Sequence, residues 1–151
     1  MSLIPHALVP SYICGMATSL TRRISFSAAH HYRVAAWSDE QNEAAFGALG
    51  RSHAHAYTCD VTVIGPADPQ TGFVVDLAAF DHVLRTEVLD RLDGRDINRD
   101  IPEFADGVQL PSCENVARFI GERVRLALAA PAQVLRVVVA EDATLYATWE
   151  A

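Results

Sequence analysis

Two histidines set two residues apart, His53 and His55 in RSHAHAY, open an alternating run that reaches Ile64. On a strand, residues i and i+2 face the same way, so both imidazoles can meet one ligand held above the sheet. Neutral imidazole is the commonest protein ligand for zinc, and catalytic zinc sites often pair three protein ligands with an open position. By itself an HxH pair reads equally as a metal pair or as structural and surface histidines. His30 tips the balance toward metal, because it ends the apolar face Ile24, Phe26, Ala28, His30 of the preceding strand pattern at the parity a third ligand needs. His31 faces away and is expected to be structural or supporting, while His6 and His82 are expected at the surface.

Holding three imidazoles together requires two neighbouring strands. RRISFSAAHHYRV alternates inward Ile24, Phe26, Ala28 and His30 with outward Ser25, Ser27, Ala29 and His31, and His53 to Ile64 alternates again. Between them SDEQNEAAFGALG predicts a short helix capped by Ser38 or Asp39 and ended by Gly47 and Gly50. GPADPQTG is a turn, and Asp76 caps a helix whose Leu77, Phe80, Leu84, Val88 and Leu92 recur at helical spacing as far as about Asp93. DGRDINRDIPEFADGVQLPS reads as a long polar loop, a type that is usually functional. A second helix starts near Cys113, carries Val116, Phe119, Ile120, Val124 and Leu128 on one stripe, and stops at Pro131. QVLRVVVAED and TLYATWE then form a hairpin across a short Asp-Ala turn. The order β-β-α-α-β-β predicts an α+β domain, a four-stranded antiparallel sheet with two helices on one face. It forms a single unit over 1–151, with an irregular lead over residues 1–20. The uncovered sheet face, if apolar, calls for a partner copy.

With 151 residues, 50% hydrophobic and 21% charged, the chain can bury one core. A formal charge of −7 argues against a general nucleic-acid binder, whose affinity rests on a basic face. A small organic ligand or a protein partner fits better. All 12 basic residues are arginine, which excludes a lysine Schiff base. Three cysteines, Cys14, Cys59 and Cys113, show no CxxC spacing; they indicate neither a disulfide framework nor a thiolate zinc site and fit a reducing, cytoplasmic setting. The opening MSLIPHALVPSYICGMATSL lacks a basic n-region and holds two prolines, so it reads poorly as a signal peptide. No apolar run approaches the roughly 20 residues of a membrane span.

FSAAH (Phe26 to His30), SDEQNEAAFG (Ser38 to Gly47), HAHAY (His53 to Tyr57), GFVVDL (Gly72 to Leu77), LDGRDIN (Leu92 to Asn98), PSCEN (Pro111 to Asn115) and the late Glu141 with Tyr146 occur in this order. Together they resemble the 6-pyruvoyl tetrahydropterin synthase and 6-carboxytetrahydropterin synthase family over roughly residues 22 to 149. The resemblance implies a tunnelling fold, in which monomer sheets join into a trimeric barrel, two trimers stack as a hexamer, and sites lie between subunits. It implies Zn2+ on three histidines, mapping onto His30, His53 and His55. It also implies a buried glutamate, matched by Glu141, that anchors the amino-pyrimidine edge of a pterin. One carboxylate can accept two parallel N–H bonds from such a ring. Ser112 and Cys113 fall where the family has further pocket residues. Glu114 beside them is either a substrate contact or an acid favourable to the helix start.

In its proton-transfer groups the chain departs from that family pattern twice. The proton-abstracting cysteine is matched by Leu49 in FGALG, and the Asp-His relay by Asp93 and Gly94, so the aspartate stays and its histidine is gone. General acid–base catalysis typically supplies about 10²- to 10⁴-fold. The expectation is therefore that the ordinary synthase reaction is lost, with Asp93 carrying proton transfer alongside a metal-bound water. Cys113, Cys59, Glu43 and His31 are lesser candidates for the base. The leading expectation is a zinc-dependent lyase or cyclase with altered chemistry on a pterin-like or other amine-bearing heterocycle, such as a Pictet–Spengler-like condensation. The alternatives are a non-catalytic pterin-binding module or pseudo-enzyme, and an ordinary pterin synthase with a replacement base.

Overall fold

Strands β1, Thr18–His30, and β2, His53–Gly65, pair antiparallel along their whole length, from Thr18 opposite Gly65 to His30 opposite His53. The computed structural model describes residues 18–151, so His6, Cys14 and the expected lead as far as residue 17 lie outside it. β1 begins earlier than the alternating pattern predicts, because the polar Thr18–Thr21 stretch still pairs with the apolar end of β2. It also ends at His30, where the His31 N–H donates to Asn98 Oδ1 instead of to a neighbouring strand. Alternation sets the buried face: Phe26, Ala28 and His30 on β1, Tyr57, Cys59, Val61 and Val63 on β2.

β3, Arg95–Asp96, runs parallel to β1 at Ala28 and Ala29, and a hairpin of β4, Gln133–Ala140, and β5, Tyr146–Glu150, extends the other side. The order β3-β1-β2-β4-β5 makes five strands where the sequence suggests four. A two-residue strand has no periodicity to read, which is why β3 is invisible in a polar stretch. The same stretch is less of a loop than expected. A helical turn, Ile97–Asp100, and a 3₁₀ turn, Pro102–Phe104, bury Ile97, Asn98, Ile101 and Phe104 in the core.

Helix α1, Asp39–Phe46, starts with a reciprocal Ser38–Gln41 capping box and ends at Gly47, whose φ of 48° suits a residue without Cβ. Helix α2 is α-helical over Leu77–Leu84 and Asp90–Leu92, with a π-helical stretch, Arg85–Leu89, between. Thr86 Oγ1 donates to the His82 and Val83 carbonyls there, the side-chain competition that loosens a regular helix. Asp76 caps its start by accepting the Ala79 N–H. Helix α3, Cys113–Ala127, is capped by Ser112. Both long helices lay their apolar stripes on one sheet face, so that Phe80, Leu84, Val88 and Leu92 join Val116, Phe119, Ile120 and Val124 over the buried strand residues.

The opposite sheet face is not the apolar surface that would demand a cover. Ser25, Ser27, Ala54, Ala56 and Thr58 are exposed on it, and Arg23 forms a bidentate pair with Asp60. Small and polar side chains here leave the two sheet edges as the unpartnered features.

Candidate functional site

Register brings the three histidines together at one end of the β1–β2 ladder. His30 is fully buried and its Nδ1 donates to the Pro111 carbonyl at 2.9 Å, which leaves Nε2 as the free lone pair. Burial holds its pKa down to about 4, so it is a neutral imidazole at neutral pH. His53 Nδ1 donates to the Arg51 carbonyl at 2.8 Å, again freeing Nε2. His55 Nε2 is buried with no hydrogen-bond partner. One ring nitrogen from each histidine lies within 4.8 Å of the other two. A histidine whose second nitrogen is held by a backbone carbonyl is the usual supporting arrangement around a metal, so this trio fits a metal ion.

Glu141 closes the site from β4. Asp142 Oδ1 accepts the Thr144 and Leu145 N–H groups, and the Glu141 N–H donates to the Leu145 carbonyl, so the turn fixes the glutamate where β4 ends. Its side chain is 4% exposed, with Oε2 3.9 Å from His55 Nε2 and Oε1 unpartnered. Burial raises its pKa, with His55 and His53 pulling it back. Leaving a buried polar group unsatisfied costs about 1–3 kcal/mol. Among the described residues, only His55 Nε2 and Glu141 Oε1 are such side-chain atoms, and they are neighbours.

The remaining predicted residues separate. Ser112 Oγ accepts the Asn115 N–H as the α3 cap, and Cys113 Sγ donates to the Val139 carbonyl. Burial pushes the Cys113 thiol up to about 11 and Cys59 up to about 12, which suits small buried hydrophobes and not proton acceptors. Glu114 is exposed in the first turn of α3, where its own backbone N–H and Ser112 hold its carboxyl below the usual range. Asp93 is exposed; its Oδ1 accepts the Ser27 N–H, and it borders a depression with Ser25, Ser27, Ala56 and Thr58 on the sheet face opposite His30. Within one chain it does not join the histidines. His31 pairs with Asp106 at 3.1 Å, as expected of a supporting residue, and His82 is exposed. Glu43 is exposed on α1. Leu49, 48% exposed, sits in the 3₁₀ turn Gly47–Gly50, and its carbonyl accepts the Tyr32 N–H.

Two tyrosines belong to the site without having been singled out. Tyr57, fully buried, places its hydroxyl 3.5 Å from His30 Nε2. Its parity with His53 and His55 is the signal that could have found it. Tyr32 packs edge-on against His30, with ring centroids 5.1 Å apart. It lies beyond the end of β1, where alternation no longer reports direction.

A mostly antiparallel sheet with two helices on one face, and an imidazole group at the strand ends, defines an α+β protein of the tunnelling-fold class. The family model described as 6-pyruvoyl tetrahydropterin synthase matches residues 19–151, and the chain belongs to that family. It is 35% identical to the 6-pyruvoyl tetrahydrobiopterin synthase of Drosophila melanogaster over 125 residues, 81% of this chain and 73% of that protein. Identity to the Homo sapiens protein of the same name is 38% over 111 residues, 72% of this chain and 75% of that one. The structure of Caenorhabditis elegans 6-pyruvoyl tetrahydropterin synthase superposes with a TM-score of 0.82 at 30% identity, covering 89% of this chain and 96% of that one. These likenesses favour ordinary pterin chemistry over the altered chemistry that Leu49 and Gly94 suggest.

Proposed function

We propose that this chain is a zinc-dependent lyase of the pterin synthase type, acting on a small pterin-like substrate. The observation that carries the reading is the adjacent pair of buried, unpartnered atoms, His55 Nε2 and Glu141 Oε1. One suits a metal and the other suits ring N–H donors, and each would relieve its own desolvation cost. His30, His53 and His55 would hold the ion, which when bound supplies Lewis-acid polarisation of a substrate oxygen. Glu141 accepts the amino-pyrimidine edge and so sets the ring's orientation. Asp93 moves a proton in a site completed by a second copy, since its own face of the sheet is remote from its own histidines. A homo-oligomer, trimer or hexamer, is part of the proposal, as is a cytoplasmic setting. Among the described residues no helix is long and apolar enough to cross a membrane.

Zinc-loaded protein incubated with dihydroneopterin triphosphate is expected to release triphosphate. No release from protein that binds both zinc and pterin would favour a second reading, a zinc enzyme with altered chemistry. Leu49 supports that second reading, because the Gly47–Gly50 turn offers no titratable side chain.

A further inference from the structure

His30 and Glu141 are buried, whereas His53 and His55 are half-buried, so a ligand reaches the site from solvent past the latter two. His53 is flanked there by a run of aromatic rings that leads outward. Tyr32 lies edge-on to it at 6.2 Å, Phe46 tilts against Tyr32 at 5.7 Å, and Trp37 stacks on Phe46 at 6.0 Å. Exposure rises along the run, from half-buried Tyr32 and Phe46 to Trp37 at 41%. Leu49, likewise exposed, stands on the turn between Phe46 and His53, and its carbonyl accepts the Tyr32 N–H at 3.0 Å. The segment that carries Trp37 is held in place. Asn42, buried on α1, accepts the Val34 N–H at 2.8 Å and donates to the carbonyls of Val34, Trp37 and Ser38. One buried amide thus fixes the backbone on both sides of the indole, and a fixed aromatic side chain offers contact area at little entropic cost.

We propose that Trp37 and Leu49 form an apolar lip at the mouth of the site, which receives an uncharged aryl or branched-alkyl substituent carried by the heterocycle whose edge Glu141 holds. The inference rests on the ring-binding role given to Glu141 above. Large apolar side chains left open beside a binding site are the ones a ligand covers. Covering an indole and a leucine removes apolar area from water only when the substituent is itself apolar, so the lip sorts ligands by the polarity of that group. The unbroken run of rings from His53 to Trp37 ties the lip to the site, and not to the sheet edges formed by β3 and β5.

The test titrates the zinc-loaded full chain calorimetrically with pterin and with 6-phenylpterin, as wild type, Trp37→Ala and Leu49→Ser. Both side chains are exposed, so both variants are expected to fold, and their thermal midpoints check it. Wild type is expected to bind 6-phenylpterin about tenfold more tightly than pterin, and the ratio is expected to fall to about threefold or less in each variant. Taking the ratio of the two ligands cancels any general damage that a substitution does to the site. A ratio that survives either substitution overturns the lip. Sedimentation of each variant without ligand separates the other occupant: a changed assembly with an intact ratio makes Trp37 and Leu49 contacts between copies, and also overturns it. If wild type binds pterin and the phenyl group adds nothing, the pterin reading stands and the lip falls. If neither compound binds, the pterin reading falls and the lip assigned to it falls with it.

Discussion

An imidazole becomes a good metal ligand when its other nitrogen is already committed, and here backbone carbonyls make that commitment for His30 and His53. His53→Ala is therefore expected to abolish stoichiometric zinc in protein purified without added metal, measured by elemental analysis, while the fold persists. His53 lies at the rim of the core rather than in its centre, so its loss leaves little cavity. Glu141→Gln is expected to weaken pterin binding about tenfold or more, since an amide oxygen replaces a charged acceptor. Retained affinity in a titration would remove Glu141 as the anchor. Thiol chemistry gives a pH-dependent check. With Cys59 up to about 12 and Cys113 up to about 11, both stay protonated well above neutrality in the folded chain and revert to ordinary thiols on unfolding. Peptide mapping after iodoacetamide at pH 8 should find both unmodified in native protein and both alkylated in denaturant. The clustering of His30, His53 and His55 was legible at this scale because strand parity orients all three side chains to one face. Pro111, Arg51 and Tyr32, which hold or flank them, were not, because their roles come from backbone carbonyls and from a residue beyond the strand end.

Among the elements, α3 and the β4–β5 hairpin carry the tightest fit. A Cβ on Gly121 would lie 2.2 Å from Trp149 Cε3, so this glycine is required by the indole packed across the helix. Gly121→Ala is expected to destabilise the protein by about 1–3 kcal/mol through overpacking, read as a lower urea midpoint. A change below a few tenths of a kcal/mol would mean that the indole can move aside. At the other end of the size scale, Ser38→Ala removes one capping-box partner of α1 and should cost about 1 kcal/mol. Helix caps at Ser38, Asp76 and Ser112 all follow from local sequence, since each side chain satisfies N–H groups within three residues. β3 and the turns around Ile97 and Phe104 do not. Their residues are buried by what the chain meets after folding, and a polar composition with no period conceals it.

For the whole molecule, the exposed sheet face is too polar to require a cover, so the proposed homo-oligomer would draw on edges and rims. β3 and β5 end the sheet, with Leu145 exposed just before β5 and Tyr146 exposed at its first position. Sedimentation of the full chain is expected to give a trimer or hexamer. A monomer that still turned over substrate would show that Asp93 is not needed by a neighbouring copy's histidines. The amino-acid sequence by itself determined the strand parity, the helix stripes and caps, and hence the histidine trio. Each of these depends on side-chain period or on partners a few residues away. Only the tertiary structure decided which polar atoms are buried without partners. Desolvation is set by everything packed around an atom, and residues as distant as His55 and Glu141 become neighbours only when β4 docks against β2. The same reason separates Asp93 from the histidines: it follows the end of α2, accepts the Ser27 N–H of β1, and borders the sheet face on which Ser25 and Ser27 lie, opposite His30.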